Sequence, residues 1–248
     1  IDGVYAPHLS TQIAEPLKKS GVVISSLAAA SPENLATIES HLGHNTELQD
    51  NIFAALNTSF LHEGALIIVP QNISVEAPIH LLFIATQKEV SSHPRCLFIA
   101  EPNSSATVIE DYVTLREETY ITNAVTEFVL ADSAHVNHVR IQRDSKEAFH
   151  IANCSVSLAQ NSNYQSVSIA FGARISRYNL NVLLKGEGAG DIDVKNNART
   201  YYLYGAETNL THKMESGETK HKFDIGIRLH YDQIRRLQNT DVYTQDAN

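Results

Sequence analysis

The stretch Glu101-Pro-Asn-Ser-Ser-Ala-Thr-Val108 joins a polar turn to an alternating strand, and the same combination returns three times along the chain. A nearly constant period of turns and short strands, without intervening helices, is what a stacked solenoid of parallel strands requires. The sequence therefore favours a parallel β-helix. The later copies are Leu130-Ala-Asp-Ser-Ala-His-Val136, Ala159-Gln-Asn-Ser-Asn-Tyr164 and Lys185-Gly-Glu-Gly-Ala-Gly-Asp-Ile192, with turn positions Asn103, Asp132, Asn161 and Glu187 at intervals of 29, 29 and 26 residues.

An antiparallel β-sandwich is the alternative architecture for a chain with many short strands. It would more often show the tight hairpin dipeptides Asn-Gly or Asp-Gly, and neither dipeptide occurs from Gly64 onward. We therefore expect a parallel β-helix over about residues 64 to 240. The residues expected to face its interior are Ile67, Val69, Val108, Val136, Ile141, Val156, Val167 and Ile169.

The chain before this region has a different character. Gly21 to Ser25 reads as a short strand, and Ser31 followed by Pro32 predicts a helix of about ten residues that ends near Gly43. A second helix is predicted from about Asn45 through Leu56, because apolar residues recur there at intervals of three and four. The sequence thus divides into an N-terminal β/helical appendage, 1–60, and a β-helix core, 61–248.

Composition excludes several classes of function. The chain has 248 residues with 19 Lys and Arg against 28 Asp and Glu, and its formal charge of -9 repels nucleic acid and anionic lipid. No apolar run approaches the length of a membrane span, and no basic-then-apolar leader opens the sequence. We expect a soluble, non-secreted protein that binds neither nucleic acid nor membrane.

Several motifs, in order along the chain, are similar to one family. They include Asn51 to Pro70, Val75 to Phe83, Asn123 to Glu127 and Gly172 to Val182, and the likeness is specific over roughly residues 50 to 190. On these residues the chain resembles the SufB/SufD family of iron-sulfur cluster assembly proteins, with SufD the closer type.

This resemblance implies a right-handed parallel β-helix with a short helical region before it. It also implies a non-catalytic scaffold subunit that pairs with SufB and with the SufC ATPase, in the cytoplasm or, in a eukaryote, the plastid. The family's C-terminal helical region, which carries a Cys-x-His-Gly motif, has no match, so we expect that region to be absent from this chain. The uncovered last coil, in the segment from Lys220 to Asn248, is the edge expected to meet SufB. An isolated chain can form a homodimer through that edge.

Thiolates are the usual ligands of iron-sulfur clusters, and this chain has only two cysteines, Cys96 and Cys154, with no Cys-x-x-Cys pair. His150 and Cys154 share a strand face but lie about 13 Å apart, too far to bind one metal ion. His212, His221 and His230 recur every nine residues and could meet on adjacent strands. Cys154 and His212 are therefore the candidate metal ligands. The simpler interpretations are that Cys154 is a buried apolar side chain and that the spacing of the histidines is due to chance.

With only two cysteines and no Cys-x-x-Cys pair, we expect this chain alone to bind no cofactor tightly. An iron-sulfur cluster could be held transiently in a complex. His135 and His138 should point to opposite faces of a strand, in a solvated or interface position.

No nucleophile motif or phosphate-binding loop occurs, and Gly186 to Gly190 reads as a coil corner, so we predict that the protein is not an enzyme. A carbohydrate-active β-helix would need paired carboxylates and stacking aromatics. Glu110, Asp111, Glu117 and Glu118 cluster, but a solvated coil edge explains them, and Trp is absent. A carbohydrate enzyme and a purely structural β-helix remain the alternatives.

Overall fold

The computed structural model describes residues 1–44, 51–185, 191–198, 206–216, 219–229 and 237–243, with side chains described for 1–44 and 51–185. Within these residues, three helices and one strand precede the solenoid, together with 3-10 turns at Pro7–Leu9 and Leu27–Ala29. These elements are α1 (Glu15–Lys19), β1 (Val23–Ser26), α2 (Pro32–His41) and α3 (Ile52–Ser59).

The remaining described elements are strands. They are β2 (Gly64–Val69), β3 (Ile79–Ala85), β4 (Ser91–Ser92), β5 (Arg95–Ala100), β6 (Ser105–Thr114), β7 (Ile121–Leu130), β8 (His135–Arg143), β9 (Phe149–Leu158), β10 (Asn163–Phe171), β11 (Ile175–Leu184), β12 (Asp191–Ala198), β13 (Ala206–Ser216), β14 (Thr219–Leu229) and β15 (Leu237–Tyr243).

The strands form two sheets that the chain visits alternately. The first sheet has the order β1-β2-β5-β7-β9-β11-β13-β14, with β4 also paired to β7, and the second has the order β3-β6-β8-β10-β12-β15. From β2 to β13 every pairing within a sheet is parallel. This is a β-solenoid of about four turns, which confirms the predicted parallel β-helix.

The parallel order does not extend to residue 240 as predicted. Strand β14 runs antiparallel to β13, and β15 runs antiparallel to β12. Only two residues separate Ser216 at the end of β13 from Thr219 at the start of β14. A parallel connection needs a dozen or more residues, so the chain must turn back on itself here.

The repeated polar turns form one corner of each coil. Asn72, Asn103, Ser133 and Asn161 all adopt positive φ, between 53° and 62°. Asparagine tolerates this left-handed conformation better than most residues, which explains its recurrence. Neighbouring corners are joined by backbone bonds, such as the Asn103 N–H to Asp132 O bond of 3.0 Å. Three of the four predicted turns are confirmed, although Ser133 rather than Asp132 takes the left-handed position, and the fourth, at Glu187, lies outside the described residues.

The apolar core fills the half of the interior next to these corners. Five of the predicted inward residues are buried as expected: Ile67, Val69, Val108, Val136 and Val156. The prediction was wrong for Ile141, Val167 and Ile169, which are half-buried on the outside of the second sheet. Their strands instead direct polar side chains inward, and those buried residues are His138, Arg140, Gln142, Ser166 and Ser168.

Helices α2 and α3 lie over the outer face of the first sheet. Leu66 and Leu97 of that face pack with Ile38 and Leu42. Helix α2 has Pro32 in its first turn and ends at His41, close to the prediction. In α3 the side chain of Asn51 caps the N-terminus, and the earlier start predicted at Asn45 lies outside the described residues. None of the described helices is long and apolar enough to cross a membrane.

A buried ion pair fixes this helical layer to the sheet. Arg95 Nη2 lies 2.5 Å from Glu127 Oε1, and Arg95 Nη1 donates to Asn57 Oδ1 of α3 at 3.3 Å. Glu127 also accepts the Gly43 N–H at 2.9 Å. Both charges are almost fully buried, so each satisfies the other and neither could be removed alone without leaving an unpaired charge.

Replacement of Gly172 by alanine should destabilise the fold strongly. Gly172 has φ +82°, and an added Cβ would lie 2.0 Å from the Asp144 carbonyl oxygen. We expect Gly172→Ala to lower the free energy of unfolding by about 2 to 4 kcal/mol, measured by urea denaturation. Gly43→Ala is the matched control, since φ is +76° there but the nearest atom is 3.8 Å away. Equal losses in the two variants would contradict the close contact at Gly172.

Candidate functional site

Ionisable side chains are buried inside the solenoid, in the half of the interior that the apolar core does not fill. Glu110 of β6, Arg140 of β8 and His150 of β9 are 2%, 1% and 0% exposed. Buried charges are rare unless they are paired, so this group is the most unusual chemical feature of the described chain. We call it the interior polar cluster, and its members are Glu110, Tyr112, Tyr120, His138, Arg140, Asp144, His150, Cys154, Tyr164 and Tyr178.

Glu110 is one anionic centre of the cluster. Thr126 Oγ1 donates to Glu110 Oε1 at 2.5 Å, the Tyr112 hydroxyl donates to Oε2 at 3.3 Å, and His138 Nε2 lies 3.5 Å from Oε2. Burial alone would raise the pKa of Glu110, but His138, Thr126 and the Arg140 charge outweigh it and leave that pKa below its ordinary value. Glu110 is therefore a carboxylate at neutral pH.

Asp144 is the second anionic centre, and His150 connects it to Arg140. Arg140 Nη2 lies 2.5 Å from His150 Nε2, and a guanidinium can only donate, so Nε2 must accept. The ring proton is then on Nδ1, which lies 2.8 Å from Asp144 Oδ2. The Tyr120 hydroxyl donates to Asp144 Oδ1, also at 2.8 Å. His150 is consequently a neutral imidazole of defined tautomer.

Both pKa values agree with this assignment. Burial lowers the pKa of His150, and the positive charge of Arg140 lowers it further, which together outweigh the attraction of Asp144. Burial would raise the pKa of Asp144, but His150, Tyr120 and Arg140 more than offset that cost and leave the pKa lowered.

Arg140 is the central cation. Its guanidinium carbon lies 4.8 Å from the ring centroid of Tyr178 and 5.4 Å from that of Tyr112, and Nη1 donates to Ser168 at 3.4 Å. Cation–π contacts of this kind are strongest where water is excluded. The positive charge of Arg140 lowers the pKa of both Glu110 and Asp144, so one guanidinium serves two carboxylates.

Cys154 lies at one end of a row of hydrogen-bonding groups. Its Sγ is 3.8 Å from the Tyr164 hydroxyl, which lies 2.7 Å from His138 Nδ1, and His138 faces Glu110. Burial and the nearby Glu110 charge raise the pKa of Cys154 to about 12, so the sulfur stays a neutral thiol, which is a poor metal ligand.

The two thiols are not placed to share a metal ion. Cys96 and Cys154 both pair in register with Thr126, on opposite sides of it. With strands spaced about 4.8 Å apart, their backbones are roughly 10 Å from each other. Burial also raises the pKa of Cys96 well above its usual range. Among the side chains that the structure describes, residues 1–44 and 51–185, no group of three or more His, Cys, Asp or Glu is suited to a metal ion.

The second candidate ligand, His212, lies in β13 with its backbone in register with Val182 and Phe223. His221 lies in β14 opposite Met214, so these two histidines are two register positions apart on adjacent strands. Their side chains are outside the described set, as are His230 and Gly186 to Gly190 entirely. Metal binding at Cys154 or His212 stays a prediction.

Sequence reasoning missed the interior polar cluster. It assigned Glu110 and Asp111 to a solvated edge, yet both are buried, and it placed His138 in solvent or at an interface, whereas His138 is 1% exposed. His135 is exposed, so the two histidines do point to opposite faces. The missed signal was strand alternation itself. Glu110 is two residues after Val108, and His138 is two after Val136, so each shares a face with a residue predicted to be inward.

The comparisons with known proteins point to one family. Residues 83–222 match the family model described as "SUF system FeS cluster assembly, SufBD core domain", and residues 2–81 match "SufBD protein N-terminal region". The first match begins within β3 and covers the strands that build the interior polar cluster.

Individual relatives are similar over most of the chain. An iron-sulfur cluster assembly SufBD family protein of Synechocystis sp. is 32% identical over 197 residues, which is 75% of this chain and 43% of the relative. Proteins of the same description from Staphylococcus aureus and Staphylococcus epidermidis are 26% and 25% identical over 174 residues, 70% of this chain and 37% of each relative. The chain thus spans less than half the length of these curated relatives.

The neutral state of His150 predicts a pH-dependent stability. Below about pH 6.5 the unfolded chain protonates this histidine, while the folded chain does not until a lower pH. The free energy of unfolding should therefore decrease as the pH is lowered. This group contributes up to about 1.4 kcal/mol of that decrease per pH unit. His150→Gln should show a shallower dependence below about pH 6.5 in urea titrations. His135→Gln, an exposed control, should keep the wild-type slope, and equal slopes in all three proteins would contradict the assignment.

Proposed function

The chain belongs to the SufBD family of iron-sulfur cluster assembly proteins, and from that premise we propose that it is a non-catalytic SufD-type scaffold subunit. In this proposal it pairs with a SufB homologue and with the SufC ATPase, in the cytoplasm or, in a eukaryote, the plastid. The observation that carries the proposal is the SufBD core-domain match over residues 83–222, which coincides with most of the solenoid.

The chemistry of the described side chains supports a scaffold better than an enzyme. The groups able to act as acid or base in the interior polar cluster are almost fully buried and lie against one another, with Arg140 Nη2 2.5 Å from His150 Nε2 and His150 Nδ1 2.8 Å from Asp144 Oδ2. A general acid or base must come within hydrogen-bond reach of its substrate, and these groups face only other protein groups. The proposed role therefore depends on surfaces that hold partners.

A carbohydrate-active enzyme is less well supported. A glycosidase needs two carboxyl groups on either side of one glycosidic bond. Glu110 and Asp111 are neighbours on β6, so Glu110 points into the solenoid and Asp111 points outward, where it pairs with Arg143. These two carboxylates cannot act on one bond. An independent structural role for the β-helix has no observation that favours it over the scaffold role.

The iron-sulfur cluster is cargo in this proposal, held transiently within a complex rather than by this chain alone. Stable cluster binding generally requires several thiolates. The chain offers two buried thiols whose pKa values are raised, with Thr126 in register between them.

The ends of the two sheets offer a surface for SufB. Within the described residues β14 and β15 are the last strands of the first and second sheets. Edge strands present unpaired backbone N–H and C=O groups that can pair with another chain. We propose that strands of a SufB homologue continue the sheets at this end.

Anaerobic reconstitution with iron and sulfide tests the cargo role. We expect the isolated chain to retain little iron-sulfur chromophore after gel filtration, because its thiols are buried and stay protonated. The variant Cys154→Ser should behave like the wild type. A chromophore that survives gel filtration and is lost in Cys154→Ser would contradict the proposal and identify Cys154 as a ligand.

Complex formation with SufB tests the pairing. Size-exclusion chromatography of the chain mixed with a SufB homologue, with SufC or with both should yield a stable heterodimer with SufB, and no ATP hydrolysis by the chain alone. Alternate residues of an antiparallel strand direct their N–H groups to opposite edges, and proline has no N–H. Asn239 and Thr240 are adjacent in β15, so one of them directs its N–H away from β12. The proline variant at that position, Asn239→Pro or Thr240→Pro, should therefore weaken the heterodimer.

The control is His80→Pro in β3, the edge strand at the opposite end of the second sheet. It should leave the heterodimer intact. Failure to bind SufB, or binding that neither β15 variant weakens, would contradict the proposed pairing surface.

A further inference from the structure

The outward side of helix α3 carries apolar and small residues at helical spacing. Ile52, Leu56 and Phe60 follow one another at intervals of four and are 78%, 39% and 60% exposed. Ala55 and Ser59 lie between them on the same side and are also exposed. None of the described hydrophobic clusters includes Ile52, Leu56 or Phe60. We call these five residues the α3 stripe, and their spacing is the one by which an amphipathic helix packs against a neighbour.

Polar anchors on the opposite side of α3 fix its rotation about its own axis. Asn57 is fully buried, and its side-chain amide donates to Pro94 O at 3.0 Å and to Asn123 O at 2.8 Å. The side chain of Asn123 donates in turn to Phe53 O of the helix at 2.8 Å. Turning the α3 stripe toward the sheet would break these bonds and leave buried polar groups unpaired. The stripe therefore faces solvent because of the way the sheet holds α3.

The α3 stripe is a preformed surface with the dimensions of a helix contact. From Ile52 to Phe60 it extends about 12 Å, a little more than two helical turns. At its C-terminal end the Phe60 ring stacks on His93, with centroids 4.8 Å and planes 18° apart, and this contact restrains the exposed ring. Ala55 and Ser59 have small side chains, so a second helix can approach closely between the larger residues. Helices that dock in this way present apolar residues at i, i+3, i+4 and i+7.

The part of the chain that carries the α3 stripe is acidic. Residues 1–63 contain seven Asp and Glu residues against Lys18 and Lys19 and no Arg, which gives a formal charge of -5. Glu63 lies three residues beyond Phe60, next to the end of the stripe. A region of this sign attracts cationic partners and repels acidic ones, including anionic lipid and nucleic acid. The partner that suits the stripe is therefore basic around an apolar face.

We propose that the α3 stripe binds an amphipathic helix of a partner protein, with apolar residues at intervals of three and four and Lys or Arg beside them. This contact is distinct from the sheet ends offered to SufB, so it goes beyond the proposed function. A second copy of this chain is a less suitable occupant, because its residues 1–63 carry the same charge of -5. An extended strand is also less suitable, since it pairs with unpaired backbone groups and a helix side offers none.

Three synthetic peptides, titrated with the full chain and followed by fluorescence anisotropy, test the proposal. The first has leucines at helical intervals of three and four and lysines at the other positions. The second has glutamate in place of each lysine, and the third has the composition of the first in an order that forms no apolar face. We expect the first peptide to bind at least about tenfold more tightly than either of the others, because only it matches both the stripe and the charge.

Variants of the chain locate the contact on α3. Ile52→Ser should weaken binding of the first peptide at least about fivefold, because it removes apolar area that the partner helix would bury. Leu115→Ser is the matched control, since Leu115 lies on the loop after β6 and is 69% exposed, and it should bind like the wild type. Phe60→Ser is a second variant at the other end of the stripe and should also weaken binding. Circular dichroism establishes that each variant is folded.

Several results would overturn the proposal. The first peptide could fail to bind at about 100 μM, or the first and third peptides could bind equally, which would show attraction by charge alone. Binding that neither Ile52→Ser nor Phe60→Ser weakens would place the contact elsewhere on the chain. Tighter binding of the glutamate peptide would exclude a basic partner. A wild-type dimer in sedimentation velocity that Ile52→Ser dissociates would show that a second copy occupies the stripe.

Discussion

The requirement that every charge sealed inside the solenoid has a charged or hydrogen-bonding partner governs much of this structure. Arg140, Glu110 and Asp144 are all sealed from water, and a buried charge is stable only when it is paired and hydrogen-bonded. Strand alternation then fixes what lies outside. Because β8 turns His138, Arg140 and Gln142 inward, it must turn Val139 and Ile141 outward, and β10 follows the same phase. The aliphatic residues on the outside of the second sheet are thus a consequence of the polar interior.

The sequence predicted the architecture because corners and period are local properties. Asn103 and Asn161 occupy left-handed positions that few residues tolerate, and their spacing of 58 residues corresponds to two coils. The phase of each strand was harder to predict. The two-residue period of a strand means that Val167 and Ser166 point to opposite faces, but it does not show which of the two faces inward. The rule that apolar residues are buried predicted the wrong inward face for these strands, because the partners of the buried polar residues come from other coils.

The candidate site shows the same division between local and distant information. His150 and Cys154 were correctly placed on one strand face, since four residues separate them. The contacts that define their chemistry involve Arg140, Asp144 and Tyr164, which are ten, six and ten residues away and on other elements. These contacts keep His150 and Cys154 uncharged and occupied with protein groups. A scaffold role fits this arrangement because it leaves the sheet ends and faces to bind partners.

The protonation of His150 is the most direct test of this paired interior, because the ring lies between the guanidinium of Arg140 and the carboxylate of Asp144. Two-bond ¹H–¹⁵N correlation spectra of histidine-labelled protein distinguish the two neutral tautomers from the imidazolium. The account predicts a neutral ring at pH 7 with its proton on Nδ1 and a bare Nε2. An imidazolium, or a neutral ring with its proton on Nε2, would contradict it, because Arg140 would then have no acceptor in His150.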